Sequence, residues 1–251
     1  MSLPRKLVLA ELGVSPVWRL KENANSGNEE AVIANEVKQA SVLERAGLPR
    51  RVAPRNDEQS SSPIMHMDWA ALKRAIQTCT ACDLHKTRTQ GVVGVGDENA
   101  DWLIIGEAPG ADEDAQGEPF VGQAGKLLDA MLAAIELKRG ENVYIANVLK
   151  SRPPGNRNPA PEEVAACLPY LLRQIELIQP KIILAMGRFA VQSLLNTDEA
   201  ISKLRGRVHQ FQGLPLIATY HPAYLLRNLP DKAKAWEDLC LARQTMISRK
   251  S

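Results

Sequence analysis

No stretch of this sequence reaches the roughly 18 consecutive apolar residues of a membrane helix, so no helical membrane span is expected. The opening MSLPRKLVLAELGV sets basic residues before a short apolar run. Glu11 breaks that run and no small-residue cleavage pattern follows, so a secretory signal is not expected and a cytoplasmic location is. Excess charge of one sign is also missing: the net charge is +2, and any phosphate-binding surface must be local rather than global. Cysteine is scarce, with four in 251 residues, which points to metal binding or plain burial rather than a disulfide framework. There is no internal repeat.

What is present is enough for a substantial core, since 45% of the residues are apolar. Residues 1–65 differ from the rest. A short apolar segment, Leu7 to Val14, gives way to ENANSGNEE and RNDEQSSSP, which are too polar to bury the surface that ordering requires. They are expected to form a flexible tail with short helices, either without a role or docking on a protein partner through Leu7, Leu9 and Trp18. Residues 66–251 read as the folded domain. Asp68 suits the N-cap of a helix over 69–78. Short apolar runs at 102–106, 143–148, 182–187 and 216–219 alternate with helical segments at 124–136, 161–177, 188–195 and 231–246. This alternation predicts an α/β fold with a mostly parallel sheet between two helical layers. Such sheets bind ligands beyond the carboxyl ends of their strands. Four loops qualify, after Gly106, Val148, Gly187 and Thr219.

The first loop belongs to GEAPGADEDAQGEPFVGQAGKLL, 106–128. It gathers Gly106 and Gly110, which allow close backbone approach, carboxylates at Glu107, Asp112, Glu113 and Asp114, and an aromatic, Phe120. GQAGK is not a phosphate loop, because Phe120 takes the place of the required glycine and Leu127 that of the metal-binding hydroxyl. The second, ANVLKSRPPGNRNPAPEE, places Asn147 at a strand end, where its amide offers a donor and an acceptor side by side. Lys150, Arg152 and Arg157 follow, either as a phosphate clamp or as a solvated basic loop. The third, TYHPAYLLRN, sets His221 after the last strand, with Tyr224, Leu225 and Leu226 beside Arg227. Apolar groups next to a cation suit a wedge that enters a base stack while Arg227 holds a phosphate.

Together these segments resemble, in order, the signature motifs of the family 4 uracil-DNA glycosylases, over about Gln77 to Leu239. The resemblance implies a glycosylase with a three-layer α/β/α sandwich, acting on uracil in single- or double-stranded DNA. No lysine is compellingly placed as a Schiff-base nucleophile, so a monofunctional enzyme without strand cleavage is expected, and a monomer. The resemblance also implies that Phe120 stacks on the flipped base and that Asn147 reads its O4 and N3–H edge. His221 then donates to O2, and backbone groups from Gly106 to Ala108 complete the pocket. A preorganised donor at O2 holds the charge that moves onto the departing base. The carboxylate that orients water is expected to be Glu107 or Glu113. Two other readings are a non-catalytic, replication-associated DNA-binding module and a glycosylase of broader range for deaminated bases.

Cys79 and Cys82 form a CxxC that by itself suits redox chemistry, zinc or an iron cluster. The resemblance implies a [4Fe–4S] cluster on this pair, on Cys167, and on a fourth cysteine at the position of Ser151. A serine there departs from the pattern, because these clusters favour four thiolates. Binding through Ser151 or water, a three-iron form, and no cluster at all are the outcomes left open. Cys240, in WEDLCLARQ, reads as a packed helical residue.

Overall fold

A computed structural model describes residues 62–249. The tail expected over 1–65 thus lies outside the described residues but for its last four, which enter a 3-10 turn, Pro63–His66. The first helix, α1 (Trp69–Gln77), starts where Asp68 accepts a hydrogen bond from the amide of Ala71 at 2.8 Å. That is the N-cap expected from the sequence. The elements that follow are β1 (Val95–Gly96), β2 (Trp102–Gly106), α2 (Ala111–Gln116), α3 (Gln123–Ala134) and β3 (Val143–Asn147). Next come α4 (Pro161–Ile178), β4 (Ile182–Met186), α5 (Arg188–Leu195), α6 (Ile201–Leu204) and β5 (Val208–Phe211). The chain closes with β6 (Leu214–Thr219), α7 (Pro222–Leu225) and α8 (Asp231–Ser248).

The strands form one six-stranded sheet in the order β1-β3-β2-β4-β6-β5. The four central strands are parallel, and short antiparallel strands close both edges. Every residue of β2, β3 and β4 is buried, as strands covered on both faces require. Side chains alternate between two cores. Ile104, Ile145 and Leu184 face α3 and α8, while Leu103, Ala146 and Ile183 face α4 and α5. The fold is therefore a three-layer α/β/α sandwich. The chain leaves β2 for β3 on one side and returns to β4 on the other. The carboxyl ends of β2 and β4 thus flank the point where winding reverses, the place where open α/β sheets bind ligands.

Two features lie where the sequence reading placed loops. Residues 111–116 form α2, with the buried Asp114 turned back to accept the amides of Thr89 and Gln90. Residues 222–225 form the single-turn helix α7. Among the described residues, no helix is long and apolar enough to cross a membrane.

Candidate active site

The ends of β2, β3, β4 and β6 open into a cavity of about 790 Å³. Its floor exists because residue 106 has no side chain. A Cβ there would stand 2.4 Å from Asn147 Oδ1 and 2.6 Å from the Phe120 ring. Gly106 pairs in register with Asn147 on the neighbouring strand, so the Asn147 side chain leaves the sheet level with Gly106.

Phe120 is nearly buried and holds a left-handed backbone, φ 57°, which costs a non-glycine residue free energy unless its surroundings enforce it. Three contacts enforce it. Arg139 donates to the carbonyls of Pro119 at 3.1 Å and Phe120 at 2.9 Å. Gly125 of α3 lies so near that a Cβ would meet the Phe120 carbonyl oxygen at 1.8 Å. Glu113 accepts from the amide of Val121 at 3.2 Å and, with its second oxygen, from that of Gly110 at 3.0 Å. Both oxygens of Glu113 are thus engaged in shaping this loop, although the residue reaches the cavity wall.

Asn147 is 3% exposed and its Oδ1 has no hydrogen-bond partner. A buried acceptor left unpaired costs about 1–3 kcal/mol, and the residue that carries this one lines the cavity. The ring of His221 lies 5.2 Å from that of Phe120. Its Nδ1 accepts the amide hydrogen of Ala223 at 3.2 Å. The proton of the neutral ring must then sit on Nε2. Burial, helped by the charge of Arg227, lowers the pKa of His221 to about 4, so the ring is neutral at pH 7. Burial has the opposite effect on Glu107, raising its carboxyl to about 7 against the pull of Arg188.

The cavity therefore gathers Gly106-adjacent Glu107 and Ala108 with Phe120, Asn147 and His221. Arg157, Tyr224 and Arg227 also reach its wall. Arg157 is paired with the carboxylate of Glu163, and Tyr224 donates its hydroxyl to Asp231. Two expected DNA contacts are corrected. Lys150 is 1% exposed and donates to the Asn147 carbonyl at 2.7 Å and to Gln174 Oε1 at 2.6 Å, so it is an interior group; burial draws its amine down to about 7. Leu225 is 1% exposed because α7 turns it into the core, and Leu226, 42% exposed, takes the outward place. Arg152 bonds Asn156 and does not line the cavity.

Sequence reasoning missed Arg188 and Phe189, which form a cation–π pair on the cavity wall. Their signal was available, since Gly187 ends a strand. Arg139 gave none, because the loop it grips lies nineteen residues away.

Cys82 and Cys167 share an apolar cluster with Leu84 and Leu149, and Cys79 packs by Tyr170. Ser151 is buried, and its hydroxyl accepts from Arg88 at 2.6 Å; Arg88 also donates to the carbonyls of Gln77 and Cys79. Among the described residues no group of three or more His, Cys, Asp and Glu side chains is placed to hold a metal ion. Three thiols and a hydroxyl engaged by a guanidinium do not fit a four-thiolate cluster.

Residues 93–240 match the model of the uracil DNA glycosylase superfamily. The chain is 53% identical over 161 residues to the type-4 uracil-DNA glycosylase of Archaeoglobus fulgidus, covering 61% of this chain and 80% of that protein. It is 47% identical over 155 residues to the type-4 uracil-DNA glycosylase of Thermotoga maritima, with the same two coverages. A DNA polymerase of Bacillus phage SP01 is 32% identical over 135 residues, 54% of this chain but 14% of the polymerase.

The floor makes a direct prediction. Gly106→Ala must push Asn147 and Phe120 apart and is expected to destabilise the protein by about 1–3 kcal/mol, seen as a lower urea midpoint. An unchanged midpoint would mean that both side chains can step back freely.

Proposed function

The chain belongs to the uracil-DNA glycosylase superfamily, and we propose that its cavity receives a uracil turned out of DNA and hydrolyses the bond between that base and its sugar. The reaction releases free uracil and leaves an abasic site. The observation that carries this reading is the unpaired Oδ1 of Asn147. It needs a donor from a ligand, and the N3–H of uracil is one, while the Asn147 amide hydrogens meet O4 alongside. Cytosine presents a lone pair at N3 and a donor at C4, the reverse pattern, so it leaves the buried oxygen facing an acceptor. Sites built around such groups reject the wrong partner strongly.

Phe120 supplies a flat wall for the base. His221, neutral and protonated on Nε2, donates to uracil O2. As the C1′–N1 bond breaks, its electron pair moves onto the base and negative charge gathers at O2. A fixed donor there is worth more in the transition state than in the ground state. Water adds to C1′ of the oxocarbenium-like sugar. Glu107 is the carboxylate for that water, because the oxygens of Glu113 are committed to backbone amides. The exposed Arg227, with Leu226 beside it, is placed at the rim to hold the strand around the gap. Turning a base out of a duplex costs a few kcal/mol, less at a mismatch or in a single strand. Among the described residues no lysine lines the cavity, and Lys150, beside the base-reading strand end, is buried and bonded to carbonyl oxygens, which agrees with hydrolysis without strand cleavage. The phage polymerase match covers too little of that protein to favour a non-catalytic module.

Three outcomes are expected. First, single-turnover assays release uracil from single-stranded, U:G and U:A oligonucleotides but leave cytosine in place, and Asn147→Ala slows release about 100-fold. Release of neither base by the wild type would refute the function. Second, the wild-type rate rises with pH through about 7 as Glu107 ionises and shows no histidine limb above pH 5. The Glu107→Gln profile is flat; a wild-type profile that is itself flat removes Glu107 from the chemistry. Third, anaerobically purified Ser151→Cys carries more iron, with stronger absorbance near ~400 nm, than the wild type. Equal iron in both proteins would show that the fourth thiolate is not what the site lacks.

A further inference from the structure

Asn147 poses a problem that the active-site chemistry does not solve. A side chain whose acceptor is kept unpaired for a ligand cannot be oriented by that acceptor, so its direction must come from the main chain beneath it. β3 ends at this residue, and beyond it the peptides run into the loop that carries Pro153, Asn156 and Arg157 along the cavity wall. The amide of Val148 is held by the Gly106 carbonyl at 3.0 Å. On the other side of the same turn, the carbonyl of Asn147 accepts from Lys150 Nζ.

This amine is fully buried, and its second acceptor is Gln174 Oε1 on α4. Gln174 is itself 0% exposed and is fixed by donating to the Val93 carbonyl at 2.8 Å. The backbone of Lys150 completes the frame, since its carbonyl accepts from the amide of Val92 at 2.8 Å. The Lys150 amine therefore ties the end of β3 to the middle of α4, and its backbone carbonyl together with Gln174 ties both to the segment before β1. Interior amines are costly to desolvate, and an apolar chain of equal length would fill the space without that cost. What the apolar chain could not do is donate to the Asn147 carbonyl.

Accepting the reading of the cavity as a uracil site, we propose that Lys150 is a positioning residue for base recognition: its buried amine sets the peptide of Asn147, and through it the angle of the amide that meets the base. Phosphate binding lies elsewhere, on the rim, and is independent of it.

The test is a double-mutant cycle in single-turnover excision, with affinity for uracil-containing DNA measured in parallel. Lys150→Met is expected to slow excision about 10- to 100-fold, the scale of a misplacement of about 1 Å, with DNA affinity changed less than about threefold. In an Asn147→Ala background the same substitution is expected to have no further effect, because the group it positions is gone. Equal slowing in both backgrounds, or no slowing in the wild-type background, overturns the proposal. If Lys150→Met does not fold, Gln174→Leu decides. That variant frees the amine from its second anchor, and it must slow excision in the wild-type background but not in Asn147→Ala; unchanged excision overturns the proposal. A wild-type protein that does not excise uracil defeats the functional reading itself and this inference with it, an outcome told apart by the wild-type control.

Discussion

Two side chains on different elements can meet over a strand end only if the strand between them offers nothing of its own. Gly106 provides that gap: the Asn147 amide and the Phe120 ring converge over its α-carbon, and a single methyl group would occupy their meeting place. The neighbouring features answer to this one. The parallel register of β2 and β3 brings Asn147 level with Gly106. Gly125 lets the Phe120 carbonyl approach α3. Gly187, at φ 90°, clears the space beside the Cβ of His221. Two strand ends and the first turn of α3 are thus stripped of side chains where three functional groups need room.

The parts of the fold legible in the sequence were those governed by burial on both faces. Unbroken apolar runs such as WLIIG and IILAM mark central parallel strands, because they are too short for a buried helix and a strand covered on both faces buries every side chain. The edge strands were not legible. β1 has two residues, and β5 alternates exposed and half-buried positions in a run, VHQF, with no strong period. The single turn of α7 was unreadable for a related reason. Four residues, PAYL, carry no helical repeat, and only the helix decides that Leu225 turns inward while Leu226 turns out.

The side chains gathered in the candidate site were legible and much of their support was not. Asn147 and His221 stood out by chemical type at predicted strand ends, and Phe120 as an aromatic in a loop rich in glycine and proline. Lys150 was misread because a lysine among prolines and arginines looks solvated, whereas its environment is set by Gln174, twenty-four residues away. Glu113 was ambiguous in the same way. A carboxylate three residues into a helix is as suited to capping as to chemistry, and the partners of its oxygens follow from the loop geometry alone. The departure at Ser151 was visible by inspection, but the hydrogen bond from Arg88 that now occupies its hydroxyl was not.

The grip on the Phe120 loop has a bearing on how such a site could change its tastes. Arg139 and Glu113 hold only main-chain atoms of residues 119 to 121, so these hydrogen bonds hold the loop independently of the ring, which adds its own packing against the core. The mount and the tile are thus fastened separately: the main chain by hydrogen bonds, the ring by its fit against His221 and the bare α-carbon of Gly106. Under the proposed reading, a flat side chain of similar size at 120 keeps the mount and changes only the surface that a base meets.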